Sequence, residues 1–246
     1  MENEIITINS PKSPASEMFR TLRTNIQFMS TNKNIKVLLV TSTMPGEGKS
    51  WIVSNLAVTF AQSDKKVVIV DTDMRRGRQA ELFKMNKEPG LSNYLSGFDA
   101  EGKTFEKNLE NCIQETQIKG LSLISTGALP PNPSELLASN KMTELMEELK
   151  NKFDMVILDG TPSSIVTDSV ILSKDADATL IVAAYKKTKK EDLKRLKKEI
   201  DNVGGKVIGV TLNKMKSLTN RYQSGYYYYY YYDDSHEKKR KQQRSL

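Results

Sequence analysis

A chain of 246 residues, 38% hydrophobic and 27% charged, can bury a real core and is sized for one α/β domain with appended arms. Its one cysteine, Cys112, excludes an internal disulfide and suits a reducing cytoplasm. The net charge is +7, no apolar run approaches the roughly 20 residues that span a bilayer, and no secretory leader pattern opens the sequence.

Taken in chain order, residues 1 to about 33 form a polar arm followed by a helix predicted over Ala15–Met29. Ile35–Val40 is a short apolar run that leads through a Gly-rich turn into a helical pattern, Ile52–Gln62. Val67–Val70, Leu121–Ile124, Met155–Leu158, Thr179–Ala183 and Val207–Val210 are further β-branched runs. They are near-continuously apolar, as strands covered on both faces must be. Between the third and fourth runs a single helix is expected over Ser134–Lys150, opened by a capping box of Asn132 and Glu135 with Pro133 at its first position. Strands alternating with helices predict an open, doubly wound, mostly parallel sheet over residues 34–216.

The basic residues cluster. Lys186, Lys187, Lys189 and Lys190 precede a helix bearing Lys194, Arg195, Lys197 and Lys198, and Lys238, Lys239, Arg240, Lys241 and Arg244 follow later. Without interleaved aromatic residues they do not suit nucleic acid. They suit a solvated face or an anionic leaflet, worth about 1 kcal/mol per nearby basic residue. Residues 217–246 read as a disordered tail, and they hold Tyr226, Tyr227, Tyr228, Tyr229, Tyr230, Tyr231 and Tyr232, seven of the chain's ten tyrosines.

The chemistry sits at the ends of three strands. The first runs into Thr43-Met44-Pro45-Gly46-Glu47-Gly48-Lys49-Ser50 and then a helix, the setting of a phosphate-binding loop. Loop amides and the positive helix end hold phosphate charge, Lys49 reaches the β- and γ-phosphates of ATP, and Ser50 is placed to ligate Mg²⁺. The second run delivers Asp71 and Asp73, followed by Arg75, and Met155–Leu158 delivers Asp159. Carboxylates at the carboxyl ends of neighbouring parallel strands converge on the first loop. Three of them provide for Mg²⁺, with Asp71, Asp73 and Asp159 as candidate ligands beside Ser50, and for a proton acceptor, with Asp71 or Asp73 as the candidate. Arg75 is expected to face transferred phosphate, to hold Asp71, or to be a solvated loop arginine.

These segments together resemble the bacterial tyrosine kinase family, the cytoplasmic autokinases of capsule and exopolysaccharide synthesis. Pro45–Ser50 is similar to its Walker A, a P-loop of the deviant type, Val68–Arg75 to its Walker A′ and Val156–Asp159 to its Walker B. Pro130–Leu137 resembles a further family segment, and Glu17, Arg20 and Arg23 resemble the family's Glu-x-x-Arg-x-x-Arg ring-assembly helix. The resemblance implies an ATP- and Mg²⁺-dependent enzyme that phosphorylates the Tyr226–Tyr232 cluster of a neighbour in a homo-oligomeric ring. It further implies other protein substrates, and a separate transmembrane activator that recruits the subunit to the inner face of the membrane. Two departures stand out: Trp51 after Ser50, and Gly160-Thr161-Pro162 after Asp159. The alternatives are a partitioning-type P-loop ATPase, whose signature lysine is replaced here by Met44, and a non-enzymatic, ATP-gated assembly module.

Overall fold

The computed structural model describes residues 5–31, 35–99, 101–106 and 108–215. The tyrosine cluster and the basic run at 238–244 lie outside the described residues. The chain divides into a unit of residues 1–213 and a second unit from Lys214 onward.

Within the first unit the helices are α1 (Ile6–Asn9), α2 (Pro14–Thr31), α3 (Lys49–Ala61), α4 (Gln79–Phe83), α5 (Leu91–Ser96), α6 (Pro133–Leu137), α7 (Asn140–Lys152), α8 (Asp168–Ser173) and α9 (Lys190–Asn202). The strands are β1 (Val37–Ser42), β2 (Val67–Asp71), β3 (Gln114–Glu115), β4 (Leu121–Ile124), β5 (Met155–Pro162), β6 (Ala178–Ala184) and β7 (Val207–Asn213). They form one sheet in the order β3-β4-β2-β5-β1-β6-β7. Every pairing is parallel except that of β3 with β4. Six of the described strands match the apolar runs to within three residues at their ends, except that β5 runs four residues past Leu158, to Pro162. The seventh, β3, is a two-residue antiparallel edge with no pattern to announce it.

Alternate residues of each central strand feed opposite cores, because successive side chains in a strand point to opposite faces. Leu38, Val40, Ile69 and Ile157 pack beneath α3 through Ile52, Val53, Leu56 and Phe60, and α2 adds Phe19 and Ile26. Val37, Leu39, Val68, Val70, Val156 and Leu158 face the other side, where α7 contributes Met142, Leu145, Met146 and Leu149. This double layer is why the strands carry no polar alternation. Burying each such side chain is worth about 1.5–3 kcal/mol, so truncating the fully buried Leu56 to Ala should cost about 2–5 kcal/mol.

The structure departs from the sequence pattern around α6 and α7 in two ways. The predicted helix Ser134–Lys150 is two helices, because Ser139 adopts an extended backbone (φ −75°, ψ 153°) and its hydroxyl donates to Leu136 O at 2.7 Å. Leu137 and Met142 are both buried yet five residues apart, which in a continuous helix would set them about 140° apart. The break brings both onto the core. The capping box is also absent: Asn132 makes no side-chain bond to the helix backbone, and its amide donates instead to the Glu135 carboxylate at 3.3 Å.

Candidate active site

β1, β5 and β2 lie side by side, with Val40 opposite Asp159 and Asp159 opposite Asp71. Their carboxyl ends therefore present the phosphate loop and two carboxylates in one row. The loop passes through left-handed backbone at Gly46 (φ +73°) and Gly48 (φ +96°), a conformation that glycine adopts without a steric penalty. Pro45 and Gly46 form its exposed crest, Lys49 is buried, and Ser50 is half-buried at the first turn of α3.

Glu47 does not face the crest. Its carboxylate turns inward, 3% exposed, and accepts from Met44 N (2.9 Å), from the Thr43 hydroxyl (3.1 and 3.2 Å) and from the Thr188 hydroxyl. Thr188 follows β6, and its hydroxyl also accepts from Ala184 N at 2.8 Å. Asn213, ending β7, donates from its amide to Glu47 O at 2.9 Å. The residue Thr43, which replaces the usual first glycine, is thus used to hold the Glu47 brace.

Asp71 is buried, and both its oxygens accept backbone amides, from Gln79 at 2.9 Å and Asp73 at 3.3 Å. Burial first, then the charges of Asp159 and Asp73, push its pKa well above the ordinary carboxylate range. Asp159 is raised too, chiefly by burial, while the Lys49 charge, the Gln79 amide and the Ser50 hydroxyl pull it back. Gln79 Nε2 donates to Asp159 Oδ2 at 2.8 Å and to Ser50 O at 3.1 Å. Asp159 Oδ1 is buried with no protein partner. Asp73 is half-buried and accepts Arg76 N at 2.9 Å.

Among the described residues, no cluster of three or more His, Cys, Asp or Glu side chains is arranged to hold a metal unaided. Mg²⁺ does not need one, since it binds through one or two carboxylates together with phosphate oxygens and water. The orphaned Asp159 Oδ1, with Ser50 beside it, fits that demand.

Sequence reasoning did not find Gln79, Gly77, Thr188 or Asn213. Gly77 is required by close approach: a Cβ there would lie 2.6 Å from Asp71 Oδ2 and 2.1 Å from Thr126 Cγ2. The glycine two residues after Arg75 was the available signal. Arg75 does not hold Asp71. Its guanidinium pairs with the buried Asp168 at 2.5 Å and lies 3.3 Å from Ser134 Oγ, which itself donates to Asp168 at 2.6 Å. Gly160 has a structural reason as well, since a Cβ would meet Ser169 Oγ at 2.5 Å.

Of the assembly candidates, Glu17 and Arg20 form an ion pair along α2 at 2.5 Å, and Arg20 also donates to Pro11 O at 2.8 Å. Arg23 donates to Thr59 O in α3 at 2.8 Å. Trp51 packs edge-on against Phe19 of α2, with ring centroids 5.0 Å apart.

A parallel sheet whose first loop cradles phosphate, flanked by strand-end carboxylates, defines a P-loop nucleotide-binding protein built for phosphoryl transfer. The family model of an AAA domain matches residues 24–213. The tyrosine-protein kinase YwqD of Bacillus subtilis is 37% identical over 226 residues, 92% of each chain. The tyrosine-protein kinase ptk of Acinetobacter johnsonii is 37% identical over 90% of this chain but only 29% of its own length, so this chain spans less than a third of that relative. The solved kinase domain of the Escherichia coli tyrosine kinase ETK superposes with a TM-score of 0.78 at 30% identity, covering 87% of this chain and 82% of that one. The chain belongs to the bacterial tyrosine-protein kinases. Among the described residues no helix is long and apolar enough to cross a membrane.

Proposed function

We propose that this kinase transfers the γ-phosphoryl group of ATP to Tyr226–Tyr232 of a neighbouring copy. The carrying observation is the row of Asp71, Asp73 and Asp159 against the phosphate loop, with a buried, unpartnered Asp159 oxygen beside Lys49 and Ser50. Amides of Pro45–Ser50 and the Lys49 ammonium hold the phosphates. Asp159 and Ser50, supported by Asp73, would hold Mg²⁺, which supplies charge neutralisation on the phosphates when bound. In the transfer, a tyrosine oxygen forms a bond to the γ-phosphorus, the bond to the β–γ bridging oxygen breaks, and ADP leaves. A phenol of pKa near 10 needs an acceptor for its proton, and the candidates are Asp71, at the end of β2, and Asp73, two residues beyond it.

Similarity to the family further supports assembly of a ring through Glu17, Arg20 and Arg23, and recruitment to the cytoplasmic face of the membrane by a separate transmembrane activator. It also supports a role in capsule or exopolysaccharide export, and other proteins as substrates on tyrosine. Accumulated phosphates, each about −1.5 to −2 charges, would repel one another and loosen the ring. The test is incubation of the purified full chain with Mg-ATP, followed by phosphosite mapping by mass spectrometry. Phosphate on Tyr226–Tyr232 that vanishes with Lys49→Met is expected; ATP hydrolysis without phosphotyrosine overturns the reading.

A further inference from the structure

Beside the catalytic loops lies a cavity of about 530 Å³ whose wall carries Glu88, Asp99 and Glu135, with no lysine, arginine or histidine among its described lining residues. Phe98 and Leu129 also line it and are 52% and 66% exposed. Carboxylates interspersed with apolar surface match the chemistry of lysine and arginine, which pack their methylene stems on apolar groups and keep the charge in water. The cavity adjoins the site through two elements. Asn132, in its wall, stands two residues before Ser134, whose hydroxyl lies 3.3 Å from the Arg75 guanidinium. Ser92, also in its wall, donates its backbone N–H to O of Thr126, the residue whose methyl abuts Gly77.

We propose that this cavity docks the basic segment Lys238–Arg244 of the neighbouring copy whose tyrosines are being phosphorylated, an inference that rests on the trans-phosphorylation reading above. Three features of the sequence single out this occupant. The segment holds Lys238, Lys239, Arg240, Lys241 and Arg244, five cations in seven residues. Asp233, Asp234 and Glu237 precede it, so an acidic wall repels the connecting stretch and accepts only the basic end, which fixes the chain direction. The tether is also short. Tyr232 is six residues and Tyr226 twelve residues before Lys238, an extended reach of about 20 to 40 Å. One anchored segment therefore holds all seven tyrosines at high effective concentration near one catalytic centre, and successive phosphorylations need no release and rebinding. As phosphate accumulates beside the acidic wall, repulsion weakens the anchor and frees the product.

The test uses full chains throughout. The acceptor carries Lys49→Met and cannot phosphorylate itself; the donor is active. Replacing Lys238, Lys239, Arg240 and Lys241 of the acceptor by Glu should raise its KM about tenfold, equivalent to ~1.4 kcal/mol, with kcat little changed. A donor bearing Glu88→Lys and Glu135→Lys should show the same defect toward the unaltered acceptor and recover activity toward the charge-reversed one. Both altered glutamates are exposed, so the donor should keep its ATP hydrolysis rate and its Tm. In parallel, a fluorescent peptide of residues 238–244 should bind the full chain in a salt-sensitive manner and bind the Glu88→Lys/Glu135→Lys chain about tenfold more weakly. Equal KM values for all pairings, or failure of the reversed pair to recover, overturn the proposal. Peptide binding without any KM change overturns it as well, and shows the cavity serves another basic partner. Absence of phosphotyrosine in every pairing, with charge-dependent peptide binding intact, counts against the kinase reading and not against the cavity's charge selectivity.

Discussion

Gly77→Ala tests how the acid row is held. A Cβ at this position would lie 2.1 Å from Thr126 Cγ2, 2.6 Å from Asp71 Oδ2 and 2.9 Å from Asp71 Cγ, so neither neighbour can stay where it is. Thr126 is 2% exposed and Asp71 1% exposed, so any shift of either moves it within buried surroundings. Overpacking of this kind costs about 1–3 kcal/mol. Displacing the Asp71 carboxylate also weakens the 2.9 Å bond from Gln79 N, and an unsatisfied buried acceptor adds about 1–3 kcal/mol. The total, about 2–6 kcal/mol, corresponds to a Tm drop of about 4–24 °C for a chain of this size. Differential scanning calorimetry measures that drop, and phosphorylation of a Lys49→Met acceptor measures the loss of transfer. Adding Thr126→Ser removes the methyl clash but not the clash with Asp71. It should recover part of the stability and none of the transfer rate. A Gly77→Ala protein with wild-type Tm and wild-type transfer, or a double variant with restored transfer, would refute the argument that Gly77 exists to admit Asp71.

The remaining predictions concern the same row and its supports. Asp71 has a folded-state pKa raised above its unfolded value of 3.8, so stability is lost as pH rises from that value through the raised one. Without Mg²⁺ or nucleotide, the wild type should accordingly lose stability as pH rises above ~4, and Asp71→Asn should show a shallower loss over the same range while transfer is abolished; thermal melts across pH check this. Gln79→Ala removes the 2.8 Å donor to Asp159 and should cost about 1–3 kcal/mol and weaken ATP binding, read by calorimetric titration. Asp168→Asn strips Arg75 of its charge partner and should cost about 1.5–3 kcal/mol by denaturant unfolding, with Asp71 unaffected because Arg75 does not touch it.

What was legible in the sequence followed from periodicity and from single residues with strong local demands. Six strands could be read because both faces of the sheet are covered, which makes the runs Val37–Val40 and Val67–Val70 apolar without interruption. The phosphate loop could be read because Gly46 and Gly48 must adopt positive φ and Lys49 must follow. The break at Ala138–Ser139 was hidden because neither residue is a helix breaker; only the need to bury both Leu137 and Met142 forces it. Gln79, Thr188 and Asn213 were hidden for a different reason. Their partners lie 29 to 166 residues away in sequence, at Ser50, Asp159 and Glu47, and polar contacts of that range leave no local pattern.

The contact between Trp51 and Phe19 gives the protein a built-in optical reporter. Trp51 is the chain's one tryptophan, sits next to Ser50 at the start of α3, and leans edge-on against α2. Red-edge excitation, which tyrosine does not absorb, isolates its emission from that of the seven clustered phenols. A single indole then senses the phosphate loop on one side and, on the other, the helix that carries Glu17, Arg20 and Arg23, so nucleotide occupancy and displacement of that helix both register in one signal without any added label.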